Sequence, residues 1–137
     1  MTDRKTLTFV LMDAPFESSR TATAMRLMDL AVERGFHLNV FAYEGAVYLP
    51  FAPQAGHANA VHGRDVDEED HPLPREWVAA LMQKAERSDL AFDWVNCGLC
   101  VDERGAGESI PGVRRGSPAD LWAMASACHN MLIVPTC

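Results

Sequence analysis

The sequence predicts a single-domain α/β protein with three layers, α/β/α, built on a mainly parallel sheet of about five strands. Three observations predict it. Short apolar runs of strand length alternate with longer stretches of helical period, an order that implies parallel strands covered by helices on both faces. The chain of 137 residues, taken as one domain over 1–137, is long enough to bury one core without disulfides or metals. Its hydrophobic fraction of 48% and mean hydropathy of -0.09 are those of a globular chain.

Leu7 to Met12 is a continuous apolar run, too short for a helix and right for a buried strand. Asp13-Ala14-Pro15 breaks it, and Ser18 or Ser19 caps a helix from about Arg20 to Arg34. Ala24, Leu27, Met28 and Ala31 form its apolar stripe, widened by Met25 and Val32, and Gly35 ends it. His37 to Tyr43 is the second strand. Strand, helix and strand in this order make a right-handed βαβ unit, so the two strands are expected to be parallel. Glu44 to Pro50 continues as a semi-apolar loop.

Residues 52–73 change character. They carry His57, His62 and His71 beside the acids Asp65, Asp67, Glu68, Glu69 and Asp70, which makes a long acidic loop. The histidine spacings match no compact metal motif, and no metal or other cofactor is expected. A helix from Pro74 to Arg87 follows, with Trp77, Ala80, Leu81 and Lys84 on one face and Val78 and Met82 alongside. Leu90 to Asn96 is the third strand. Ile110 to Val113 reads as a short strand or a loop. Ser117-Pro118-Ala119-Asp120 is a helix start, with Leu121, Met124, Ala125 and Cys128 as the apolar stripe behind it. Met131 to Val134 is a last buried strand, and Pro135-Thr136-Cys137 a loose tail.

Composition narrows the function classes. A formal net charge of -7 lacks the basic footprint that a direct grip on nucleic acid requires. No run approaches the roughly 18 apolar residues that span a bilayer. Thr6 to Met12 is too short for a signal core and runs into acids, so the expected location is the cytoplasm. Four cysteines in such a chain point to reactive thiols or small buried hydrophobes before structural disulfides.

The chemistry concentrates in Trp94-Val95-Asn96-Cys97-Gly98-Leu99-Cys100-Val101-Asp102-Glu103-Arg104-Gly105. In open α/β sheets ligands bind outside the carboxyl ends of the strands, and Cys97 stands at such an end. If Gly98 opens a helix, Cys97 lies at its N-cap, where backbone N–H groups and the helix dipole favour the reactive thiolate. Arg104 adds positive charge two turns on, while Asp102 and Glu103 act against it. Cys100 is one turn from Cys97 on the same face, placed to resolve or share its chemistry. The bland alternative is a pair of small hydrophobes under the sheet. Cys128 reads as packing on its helix stripe. Tyr43, Glu44 and Tyr48 lie at another strand end on the same edge and either line the site or pack in a subunit contact.

These residues resemble the DsrE/TusD-like group of small sulfur-relay proteins. The likeness runs through the opening strand and its Ala-Pro loop, the helix ending Glu33-Arg34-Gly35-Phe36-His37, and Phe41-Ala42-Tyr43-Glu44-Gly45-Ala46-Val47-Tyr48. It extends to a cysteine that ends a long strand and precedes Arg104-Gly105 by seven and eight residues, and to the Ala-rich closing helix with Cys128. The resemblance implies a DsrEFH/YchN-like, flavodoxin-like fold. It implies a sulfurtransferase that holds sulfane sulfur as a persulfide on Cys97 and passes it to a partner protein, in sulfur oxidation or tRNA thiolation. Sulfur donor and acceptor proteins are the implied partners, and the implied assembly is a homo- or hetero-oligomer, trimer or hexamer, associating through the apolar segment Tyr43 to Phe51. Two departures stand out: Cys100 makes a CxxC that the simplest members lack, and the acidic loop is long. Two other functions remain open: a CxxC dithiol redox protein, against which the late position of the motif argues, and a non-catalytic assembly or partner-binding subunit.

Overall fold

The computed structural model describes residues 3–69 and 73–136. Its strands are β1 (Thr6–Leu11), β2 (His37–Ala42), β3 (Phe92–Cys97), β4 (Val113–Gly116) and β5 (Asn130–Val134). They pair in the order β4-β3-β2-β1-β5, and every neighbouring pair is parallel. Parallel strands need long crossovers, and α1 (Ser19–Glu33), α3 (Pro74–Arg87) and α5 (Pro118–Ala127) lie in those that follow β1, β2 and β4. Two shorter pieces, α2 (Val66–Glu69) and α4 (Gly98–Arg104), complete the helices.

Because successive side chains on a strand point to opposite faces, the sheet builds two cores. Phe9, Leu11, Val40, Ala42 and Trp94 pack with α1 and α3 on one face. Val10, Phe41, Val95 and Cys97 pack with α4 and α5 on the other. The chain steps from β1 through β2 and β3 to β4, then crosses back to place β5 on the far side of β1. The expected three-layer parallel architecture is the observed one.

Local chemistry sets the helix ends. The Ser18 hydroxyl accepts from the Arg20 N–H at the start of α1. At its other end Gly35 sits at φ 83, with Phe36 N–H bonded to the Ala31 carbonyl and Gly35 N–H to that of Val32. This left-handed turn is the reason for glycine there. The buried face of α1 is Ala24, Met25, Met28, Ala31 and Val32, whereas the expected Leu27 stays 40% exposed.

Four expectations need correction. The core face of α3 is Val78, Leu81 and Ala85, about one position round from the expected stripe. Ala80 is exposed, and Lys84 instead ion-pairs with Asp29 and Glu33 of α1, both at 2.8 Å. The fourth strand begins at Val113 and ends in Arg114-Arg115-Gly116, not at Ile110–Val113. Pairing with β3 selects those residues, and charged side chains suit an edge strand. β5 is an edge strand too, and not a buried one: Met131, Leu132 and Ile133 keep 38%, 43% and 49% of their surface. In the segment Tyr43 to Phe51, Ala46, Val47 and Leu49 turn into the core, folded as a 3-10 helix over Glu44–Tyr48, so its apolar residues offer little free surface.

The acidic stretch is partly ordered. It holds a 3-10 turn at Ala60–His62 and α2, while Asp70, His71 and Pro72 lie outside the described residues, as does Cys137. Among the described residues no cluster of three His, Cys, Asp or Glu side chains could hold a metal ion, and no helix is long and apolar enough to cross a membrane.

The core assignment has a direct check. Met28 is fully buried under the sheet, so Met28→Ala should cost about 3 kcal/mol in urea unfolding, while Leu27→Ala on the exposed flank should cost about 1 kcal/mol or less. Equal losses at the two sites would contradict the packing.

Candidate functional site

The site begins with the end of β3. Trp94 and Asn96 are both buried, and the Trp94 Nε1–H donates to Asn96 Oδ1 at 3.0 Å. The Asn96 amide in turn donates to the Val47 carbonyl at 3.2 Å and to Ser109 Oγ at 3.4 Å. One polar side chain thereby ties the strand end to the 3-10 segment and to the loop before β4. A polar residue set between apolar neighbours of a buried strand was the only hint of this role in the sequence.

Cys97 is the last residue of β3 and the N-cap of α4, with Gly98 opening the helix as expected. Cys97 and Cys100 are 3% and 6% exposed and share one apolar cluster with Val101 and Met124. Both are free thiols. The Cys100 Sγ also accepts the Glu44 N–H at 3.2 Å. Burial pushes the Cys100 thiol up, the neighbouring Cys97 adds to this, and the Glu44 N–H and Arg104 oppose it. Cys100 is therefore protonated at neutral pH.

Glu44 is the hub of the opposite wall. It stands in the left-handed region at φ 53, a conformation that non-glycine residues adopt seldom and mostly at functional sites. Its carboxylate meets Arg104 at 3.5 Å, and the Tyr48 hydroxyl donates to the Arg104 carbonyl at the end of α4. Tyr48, Glu44 and Arg104 are thus brought together, and they clamp the 3-10 segment onto α4. Tyr43 is placed differently: its ring stacks on Phe41 at 6.5 Å and is 37% exposed. Cys128 lies apart at the C-cap of α5, its thiol directed at the Ala125 carbonyl, in keeping with a packing role.

Arg115 went unremarked in the sequence and belongs to the site. The β3–β4 register sets it opposite Asn96, one residue before the partner of Cys97. Its side chain crosses Gly98, where an added Cβ would come within 2.7 Å of Arg115 Nε and 3.2 Å of the Gly116 carbonyl. Gly98 is needed for that approach. The guanidinium pairs with Asp102 of α4, and the charge of Cys97 contributes to holding it protonated. The Arg114-Arg115-Gly116 triplet was a visible signal, lost because the strand was expected earlier.

A cavity of about 280 Å³ opens behind Glu44–Gly45, at the carboxyl ends of β1 and β5 where the strand order reverses. Asp13, 5% exposed, accepts the Ser18 hydroxyl there at 2.5 Å, and Arg20 Nη1 is buried without a hydrogen-bond partner.

A parallel α/β/α sheet with a buried dithiol at a strand-to-helix turn defines a class of small thiol-bearing proteins. The chain belongs to the DsrE/DsrF-like family, whose model matches residues 5–133, a family generally connected with sulfur relay. No curated protein matches it. Among solved structures it is similar to the ychN protein from E. coli, at a TM-score of 0.70 and 17% identity over 95% of this chain and 99% of that one. It is also similar to BT1422 from Bacteroides thetaiotaomicron, a conserved protein of unknown function, at a TM-score of 0.56 and 12% identity over 95% of each chain. Likeness at these identities is likeness of fold.

Arg115 holds the Asp102 carboxyl below the usual carboxylate range, chiefly through their hydrogen bond. In an NMR titration, Arg115→Gln should move the Asp102 midpoint up, towards the ordinary value of about 3.9. An unchanged midpoint would mean that the pair does not form in solution.

Proposed function

We propose that this protein is a sulfur carrier that accepts sulfane sulfur on Cys97 and hands it to a partner protein. The observation that carries the reading is the position of Cys97: the last residue of a central strand, the N-cap of the helix that follows, in a chain of the DsrE/DsrF-like family. In the loading step the Cys97 thiolate attacks the outer sulfur of a donor persulfide. An S–S bond to Cys97 forms, the donor S–S bond breaks, and the donor leaves as a thiolate. No net oxidation or reduction occurs. Arg115 crosses Gly98, the residue after Cys97, and Arg104 closes the same short helix.

The partners in this reading are protein donors and acceptors, in either sulfur oxidation or tRNA thiolation, acting in the cytoplasm. Association into a trimer or hexamer belongs to the same proposal. The free apolar surface that supports it is the groove between α1 and β5, lined by Leu27, Leu30, Met131 and Leu132. A second reading, a dithiol redox protein, is favoured by the placement of the two thiols one helical turn apart in one buried cluster. Turnover of a model disulfide by the reduced protein would select it.

Incubation with a persulfide donor should add one sulfur to the protein mass in the first product formed. The gain should vanish in Cys97→Ala and persist in Cys128→Ala. A gain that ignores Cys97 would overturn the sulfur-carrier reading.

A further inference from the structure

We infer that Cys100 is a resolving thiol, which attacks a persulfide on Cys97 at its inner sulfur and releases the outer sulfur as sulfide. The inference deepens the proposed function and rests on Cys97 accepting sulfane sulfur. It gives the site a second outlet: reduction of its cargo, in addition to transfer.

Three features of the geometry point to it. First, Cys97 as the N-cap and Cys100 as the third residue of α4 lie one turn apart on one face, and both belong to the same buried cluster. Any persulfide built on Cys97 therefore has its inner sulfur beside a second nucleophile. Second, the Cys100 sulfur is held by the Glu44 N–H at 3.2 Å, and Glu44 is itself fixed by Arg104 at 3.5 Å. The attacking atom is thereby positioned and loses little freedom on reaction. Third, both cysteines are buried in one apolar cluster, so Cys100 reaches the inner sulfur from within the fold. Cys128, the other described thiol, lies outside that cluster.

The step balances without an added reagent. The Cys97 persulfide anion and the Cys100 thiol become a Cys97–Cys100 disulfide and hydrosulfide. The new bond joins the two Sγ atoms, and the bond between Cys97 Sγ and the outer sulfur breaks. The two cysteine sulfurs are oxidised, and the sulfane sulfur takes both electrons. The Cys100 proton ends on the departing sulfide. Closing the ring leaves the protein oxidised after one turnover.

The test loads the full-length chain with glutathione persulfide, then follows protein mass, cysteine pairing by peptide mapping, and sulfide. Wild type should release about one sulfide per chain and end with a Cys97–Cys100 disulfide. Cys100→Ser and Cys100→Ala should keep the added sulfur on Cys97 and release it at least about tenfold more slowly. Cys128→Ser should behave as wild type. If wild type holds its extra sulfur as long as the Cys100 variants do, the resolving role is wrong while the carrier reading stands. If neither Cys100 variant gains sulfur on Cys97, the carrier reading falls and the resolving step with it.

Discussion

The buried amide of Asn96 is the constraint on which the site depends. It accepts from the Trp94 indole and donates to the Val47 carbonyl and Ser109, so two segments distant in sequence converge on the end of β3. A buried polar group of this kind is costly when unsatisfied, by about 1–3 kcal/mol, and so fixes one arrangement of its neighbours. The 3-10 segment is thereby held against β3, which brings the Glu44 N–H to the Cys100 sulfur. The next residue after Asn96 is Cys97. The position of the reactive turn follows from a hydrogen-bond network that carries no sulfur chemistry of its own.

Around the thiols the charges come in pairs. Arg104 meets Glu44, and Arg115 meets Asp102. All four side chains are substantially exposed, so these pairs contribute little to stability and act mainly by fixing where each cation stands. Each arginine is tethered by a carboxylate from a different element: the 3-10 segment for Arg104, and α4 for Arg115. The site is shaped from both flanks of α4, which at seven residues would not hold its own geometry in isolation.

The edges of the sheet contrast in a way that bears on assembly. β4 is an arginine-bearing edge whose Arg114 is engaged by Asp93 and Asp120. β5 is an apolar edge, half covered on both faces. A charged edge resists strand addition, whereas an apolar one with an adjoining groove is the kind of surface that buries itself against another molecule. The cysteine pair sits where β3 passes into α4, beside the protected edge.

Periodicity alone determined most of the architecture. The apolar runs at Leu7–Met12, His37–Tyr43 and Leu90–Asn96, and the capped helices between them, are local signals, and local signals survive in a linear chain. The same holds for Cys97, whose place at a strand end followed by a glycine is a short-range pattern. Tertiary structure decided the rest, because it depends on pairing across the chain. β4 fell on Val113–Gly116 since its register is set by β3 and not by its own hydrophobicity. β5 looked like a core strand in composition, and only the strand order made it an edge. Arg115 entered the site through that same β4 register, and Glu44 through a left-handed backbone stabilised by contacts with α4. The sequence by itself placed Cys97 at a strand end before a helix; the fold supplied the groups that surround it, because each comes from an element whose position only long-range packing determines.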